Sequence, residues 1–298
     1  MAAFTFRDVV QKGDFLITAE VMPPKGPNAE EFLAKALLLK DRVHGVNVTD
    51  SNRAVMRMSP LAASLLLKQQ GLEPICQLAC RDRNRIALQG DLLGAAALGI
   101  HNILALTGDP VAVGDHPDAR SVCDFESVRL LQAIGKLNQG FDWQDHPLNQ
   151  PTQLFAGAAV DPQCPSLSGL SRRFERKINA GAQFFQTQMI TDFDQFARFM
   201  DVLGYPAGKP VLAGVFLLKS AKNALFINRT LPGVKIPDAV IERLARAEHP
   251  LEEGMRLCAE QIQKARQLCQ GVHLMAIRKE ELIPQILDWA GIPALSKS

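Results

Sequence analysis

The chain has 298 residues, 47% of them hydrophobic and 21% charged, with a formal net charge of +2. That apolar content excludes a disordered chain, and the near-zero charge gives no general electrostatic reason to bind nucleic acid or an anionic membrane. The longest apolar runs, such as Leu61 to Leu67, are too short to span a bilayer.

Met1 to Arg7 carries no apolar run with a small-residue cleavage site, so no secretory leader is expected. The six cysteines are scattered, with no CxxC pair, and no HxxxH or HxH spacing occurs. The expectation is a reduced cytoplasmic protein without a metal centre.

Along the chain, short apolar runs rich in β-branched residues alternate with longer stretches of helical character. The predicted strands are Phe15–Glu20, Gly45–Thr49, Pro74–Leu78, Asn102–Leu106, Leu154–Val160, Phe184–Gln188, Pro210–Phe216 and Val272–Ile277. Most are apolar at nearly every position, as strands covered on both faces are.

Helices are expected between and after them. Asn28 caps one through Val43, with Glu30 and Glu31 in its first turn, and Ser59-Pro60 opens one through Gln70. Others cover Asn84–Leu98, Ser127–Leu137, Ser168–Ala180, Asp192–Leu203, Ser220–Ile227 and Lys279–Ala290, with Asp238–Ala247 and Leu251–Leu268 ahead of the last strand. Eight strands each followed by a helix predict an α/β fold, a (β/α)8 TIM-type barrel, as a single domain over 1–298. Without a GxGxxG after a strand, an open dinucleotide-binding sheet is disfavoured. The segment around 111–150, rich in Pro, Asp, His and Gly, reads as a long loop or insertion on the barrel.

A barrel of this kind places chemistry at the carboxyl ends of its strands. Those ends carry Glu20, Thr49-Asp50, Gln77, Thr107-Gly108-Asp109-Pro110, Asp161, Thr187-Gln188, Lys219 and Arg278. Two carboxylates stand out. Glu20 lies between Ile17-Thr18-Ala19 and Met22-Pro23-Pro24, and an apolar, stiff setting there would favour the uncharged form that a general acid needs. Asp109, in a tight turn after a glycine, is expected to stay ionised. Each could instead cap a loop or pair with an arginine. Arg81, Arg83 and Arg85 could fork onto a phosphate or could form a solvated helix start. Arg172, Arg173, Arg176 and Lys177 form a second basic cluster, of which 173, 176 and 177 share one helix face.

Taken in order, several segments resemble the methylenetetrahydrofolate reductase family across nearly the whole chain. They are Glu20-x-x-Pro23-Pro24, Val48-Thr49, Asn102-Ile-Leu-Ala-Leu-Thr-Gly-Asp-Pro110, Lys177-x-x-Ala-Gly-Ala182 with Thr187-Gln188, and Leu212-Ala-Gly214. Cys80-Arg-Asp-Arg-Asn84, Gly157–Pro162 and Pro232–Pro237 resemble a subgroup fused to, or working beside, methyl-transfer proteins in some bacteria. No regulatory domain is expected after the last helix.

The resemblance implies an FAD-holding barrel that takes hydride from NAD(P)H and passes it to the methylene carbon of 5,10-methylenetetrahydrofolate, giving 5-methyltetrahydrofolate. It implies Glu20 and Asp109 as catalytic residues, Glu20 protonating N10 of the folate. It implies Thr49, Gln77, Thr107, Gly108, Asp109, Ala158, Arg176 and Lys177 as cofactor contacts, and Gln188, Asn223 and Arg278 as substrate contacts. The chain departs from the family pattern at Gln77 (usually His), at Thr107 (often Arg), over Met189–Asp192, and at Asn223 and Ile227, where Gln and Phe are usual. These departures leave open FMN or no flavin, a protein electron donor in place of NAD(P)H, and a folate-binding subunit that works with a methyl-transfer partner or as a homo-oligomer.

Overall fold

A computed structural model describes residues 5–231 and 233–295. Pro232, in the turn singled out above, and the first four residues lie outside them. The chain opens with a short helix, α1 (Phe6–Lys12), which periodicity did not reveal. Thr5 and Asp8 form a reciprocal capping box at its start, and Gly13, in the left-handed region at φ 78°, ends it.

Eight parallel strands follow: β1 (Leu16–Val21), β2 (Gly45–Val48), β3 (Pro74–Ala79), β4 (Asn102–Leu106), β5 (Phe155–Val160), β6 (Phe184–Met189), β7 (Val211–Phe216) and β8 (Gly271–Met275). They pair in sequence order, and β8 closes on β1. Every predicted strand is present, shifted by no more than two residues at an end. The expected (β/α)8 barrel is therefore the observed fold.

The helices are α2 (Glu30–Leu37), α3 (Pro60–Gln69), α4 (Arg85–Ala97), α5 (Ser127–Asn138), α6 (Leu167–Asn179), α7 (Phe193–Phe199), α8 (Ala221–Thr230), α9 (Asp238–Arg246), α10 (Pro250–Leu268) and α11 (Ile283–Trp289). Asn84 caps α4 by accepting from the amides of Ile86 and Ala87. The Asn28 side chain accepts from Glu30 N, but the helix it precedes is shorter than expected and ends at Leu37. Within 111–150, α5 buries Leu130, Leu131, Ile134 and Leu137. It is the barrel's own return from β4 to β5, and the loops on either side of it carry the extra length.

Two apolar layers hold the barrel. The larger lies between strands and helices, where outward-facing residues such as Val46, Val48, Cys76 and Leu78 meet the helices' apolar faces. The smaller fills the amino-terminal end of the barrel with Leu16, Ile75, Leu104, Phe155, Phe184 and Leu212. Helix α1 plugs this end. Phe6 is fully buried, edge-on to Phe184 with centroids 5.1 Å apart and to Phe155 at 6.3 Å. Gly157 is required beside this layer, since a Cβ there would meet Phe184 ring carbons at 2.3–2.5 Å.

At the same end, His44 Nδ1 accepts from the Ile17 amide at 3.0 Å, so the ring is needed neutral at that nitrogen. Burial pushes the His44 pKa below its ordinary value, and burial acts on His101 in the same direction. A histidine depressed on folding contributes stability that is present above its unfolded pKa and is lost as pH falls towards the folded one. The melting temperature is therefore expected to drop as pH falls below about 6.5. His44→Gln, which keeps an acceptor, should reduce that dependence. Melting curves from pH 8 to pH 5 check this, and an unchanged slope in the variant would contradict it.

Candidate active site

Above the apolar floor, the barrel interior turns polar. Thr18, Asn47, Gln186 and His273 point inward from β1, β2, β6 and β8, and all are buried. Asn47 Nδ2 donates to Gln186 Oε1 (2.7 Å), while Gln186 Nε2 donates to Asn47 Oδ1 (3.0 Å) and to Thr18 Oγ1 (3.1 Å). Thr18 Oγ1 lies 3.0 Å from His273 Nδ1, and the two residues are register partners across the β1–β8 seam. Side chains alternate along a strand, so Glu20, two residues after Thr18, stands one layer higher on the same face.

Glu20 is about 10% exposed, at the floor of the carboxyl-terminal bowl. Its Oε2 accepts from Gln77 Nε2 at 3.3 Å and lies 3.8 Å from His273 Nε2. No protein group among the described residues hydrogen-bonds to Oε1. The apolar setting expected around Glu20 is thus replaced by an amide and an imidazole. Gln77, expected at a cofactor, instead steadies this carboxyl.

Asp109 sits on the rim, exposed, three strands from Glu20. Its Oδ2 accepts from the Arg53 amide at 2.8 Å. Arg53 and its neighbours Ser51 and Ala54 all have positive φ (54°, 45° and 53°), so the carboxylate clamps a strained loop after β2. Gly108, at φ 95°, makes the turn possible, because a Cβ there would meet Arg81 Cβ at 2.8 Å. The Thr107 hydroxyl accepts from the Ser127 amide at 3.3 Å and so is engaged at the start of α5. The Thr49 hydroxyl is buried and has no hydrogen-bond partner among the described residues. Ala158 is buried in the layer between strands and helices.

A cavity of about 240 Å³ lies against α6, lined among others by Asp161, Cys164, Arg173, Lys177 and Gln188. Lys177 Nζ donates to Ala159 O at 2.7 Å, and burial pulls its pKa below the usual lysine value. Arg173, one turn earlier, donates to the Cys164 sulfur at 3.0 Å. Arg176 points elsewhere and pairs with Glu126 at 2.6 Å. The basic residue beside Lys177 in the cavity is therefore Arg173, as i,i+4 spacing allows. Gln188 reaches the cavity because the β6–β7 register shifts between Gln186 and Met189.

The three arginines after β3 are spent within the chain. Arg81 pairs with Asp82 at 2.6 Å and Arg85 with Asp124 at 2.7 Å. Arg83 pairs with the buried Asp50 at 2.6 Å and with Asp91 at 2.9 Å. They are not free forks for a phosphate. Asn223 Oδ1 accepts from the Lys219 amide at 3.1 Å, a bond that ties the loop after β7 to the start of α8. Arg278, with φ 60°, lines a second cavity of about 410 Å³ together with Lys25, Lys35, Arg57 and the buried Glu280. Among the described residues no group of three or more His, Cys, Asp or Glu could hold a metal, and no helix is long and apolar enough to cross a membrane.

Comparison with known proteins separates fold from family. The tryptophan synthase of M. tuberculosis superposes with a TM-score of 0.54 at 12% identity, covering 96% of this chain and 97% of that one, which shows a shared fold alone. A probable methylenetetrahydrofolate reductase (NADPH) of Caenorhabditis elegans is 24% identical over 246 residues, 80% of this chain and 35% of the relative. Methylenetetrahydrofolate reductase 2 of Schizosaccharomyces pombe is 24% identical, over 96% and 47%. The 5,10-methylenetetrahydrofolate reductase of Pectobacterium carotovorum is 26% identical, over 64% and 59%. The chain thus spans between 35% and 59% of the length of these relatives. The family model for methylenetetrahydrofolate reductase matches residues 5–291, and the chain belongs to that family.

Proposed function

We propose that the bowl reduces 5,10-methylenetetrahydrofolate to 5-methyltetrahydrofolate, with Glu20 as the acid. The observation that supports this best is an inward, nearly buried carboxyl at the carboxyl-terminal end of β1, held through one oxygen by Gln77, with no protein hydrogen bond among the described residues on the other. Glu20 protonates N10 of the bound folate. The N10–methylene bond breaks with its electron pair moving to N10, and an iminium cation forms at N5. Hydride then reaches the methylene carbon. Holding the acid within hydrogen-bond reach of N10 is the geometric requirement of this step.

Asp109 places a negative charge at the rim, where it offsets the cation formed on ring opening. Asp109→Asn keeps an oxygen to accept from Arg53, so the fold should survive while the charge is lost. Turnover is expected to fall about 10-fold or more with an unchanged melting temperature. Wild-type rates in this variant would remove Asp109 from the chemistry.

FAD, when bound, would supply a two-electron carrier between a nicotinamide and the folate. The residues fit such a group. Arg173, Lys177 and Gln188 line the cavity at α6 and would hold its polar groups, the two cations at the phosphates, and the Thr49 hydroxyl is a polar atom left for a further contact. The test is to supply the purified protein with NAD(P)H, methylenetetrahydrofolate and, in parallel, added FAD. Methyltetrahydrofolate identified by mass spectrometry is the expected product. Binding of the folate with no product under either condition would contradict the reading and favour a partner subunit.

A further inference from the structure

We propose that Thr187 and Gln163 are positioning residues for Gln188: together they hold a one-residue bulge in β6 that turns the Gln188 side chain into the cavity at α6. This rests on the reading of that cavity as part of the ligand site. Between the register pairs Gln186–Leu212 and Met189–Gly214, β6 carries two residues, Thr187 and Gln188, and β7 carries only Ala213. The extra residue breaks the alternation of faces. Gln186 faces the barrel interior, and regular alternation would stack Gln188 above it, as Glu20 stacks above Thr18. Gln188 is instead the exposed position of an otherwise buried strand, and it lines the cavity beside Phe174 and Lys177 of α6. Its side chain makes no hydrogen bond to the protein among the described residues, so its amide is left for a ligand.

A bulge leaves ladder groups unpaired, and a buried amide without an acceptor is costly. Here the Thr187 hydroxyl takes the place of the missing ladder acceptor. Gly214 N donates to Thr187 Oγ1 at 2.8 Å, and Oγ1 donates its own proton to Gln188 O at 2.6 Å. One hydroxyl thus satisfies the β7 amide and pins the carbonyl of the displaced residue. The bulge presses its carbonyls against Gly214. A Cβ there would meet Gln188 O at 2.5 Å and Thr187 O at 2.8 Å, so only glycine fits. Beyond the bulge, Gln163 from the loop between β5 and α6 braces the chain. Its Nε2 donates to Met189 O at 2.9 Å, and its Oε1 accepts from the amides of Thr191 (2.7 Å) and Asp192 (2.8 Å). The segments Thr187-Gln188 and Leu212-Ala-Gly214, separate in sequence, are therefore two halves of one device.

The test is a double-mutant cycle on the full-length protein, read as affinity for FAD by flavin fluorescence and for 5-methyltetrahydrofolate by calorimetry. Gln188→Ala shows which of the two ligands the amide touches. Thr187→Val keeps the side-chain shape and removes the hydroxyl, and it should weaken that same ligand about 10-fold. Added to Gln188→Ala, it should cost no more than about twofold further, because Thr187 acts through Gln188. Thr187→Ser keeps the hydroxyl and should return to within about threefold of wild type. With no ligand present, NMR amide exchange of Gly214 should quicken about 10-fold in Thr187→Val and be restored in Thr187→Ser. Losses that multiply in the double variant, wild-type affinity in Thr187→Val, or Gly214 exchange unmoved by it would overturn the proposal. Should Thr187→Val not fold, Gln163→Leu frees the far side of the bulge and gives the same cycle, with the same outcomes for and against. Failure of the underlying reading would show separately, as a Gln188→Ala variant that binds both ligands as wild type does, and it would end the positioning role as well.

Discussion

Glu20→Gln is expected to lower the rate of methylenetetrahydrofolate reduction by about 10²–10⁴-fold, the usual contribution of a positioned general acid. Gln is nearly the same size and can still accept from Gln77 through its carbonyl, so the bowl floor should keep its shape. What it cannot do is deliver a proton to N10. Oxidation of NAD(P)H in the presence of FAD does not need that proton and should stay within about twofold of wild type. Loss of both activities together in a folded variant would mean that Glu20 supports the site and does not act in ring opening. Separate stopped-flow measurements of nicotinamide oxidation and folate reduction decide between these outcomes.

Phe6→Ala should cost about 3–5 kcal/mol of stability, the range for truncating a buried aromatic ring. Phe6 is fully buried among Phe155, Phe184 and other residues closing the amino-terminal end of the barrel. Its edge-on contacts to both rings are lost with it. The capping box at Thr5 and Asp8 holds a helix of only 7 residues, too short to be stable without tertiary packing. Removing its one large anchor is therefore expected to release α1 and uncover the barrel end. Phe6→Leu fills part of the volume and should recover more than half of the loss. Urea unfolding of the three proteins checks this, and a Phe6→Ala midpoint equal to wild type would show that α1 does not plug the barrel.

The strands were legible because burial on both faces leaves runs with hardly a polar residue, and eight such runs in alternation with helices leave few architectures. The helix α1 was not, since 7 residues cannot display a period and its value lies in a contact with Phe155 and Phe184, nearly 150 residues or more away. The polar layer inside the barrel was also missed. Three of its residues are single polar positions inside apolar runs, Thr18 before Glu20, Asn47 within Gly45–Val48 and His273 in the last strand, and the fourth, Gln186, opens the polar stretch Gln186-Thr187-Gln188. A two-residue spacing between polar positions on one strand was the available signal, and it marks the pair Thr18–Glu20, whereas Gln188 leaves the face of Gln186 at the register shift.

At the rim, residue type was legible and partnership was not. Arg81, Arg83 and Arg85 look alike in sequence, yet Arg81 pairs with one aspartate, Arg83 with two and Arg85 with one, and of these four aspartates two are near in sequence and two more than 30 residues away. Arg176 and Arg173 lie on one helix face, and only the position of Glu126, from outside that helix, draws Arg176 away from the cavity. Thr107 and Asn223 carry the polar atoms a ligand would want, but nearby backbone amides claim them first.

The most direct measurement is a crystal structure of the protein soaked with methyltetrahydrofolate. The pterin is expected over the bowl floor, with N10 within about 3.2 Å of Glu20 Oε1 or joined to it by a single water. A folate bound away from β1, or an Oε1 turned from the ligand with no bridging water, would contradict the role given to Glu20.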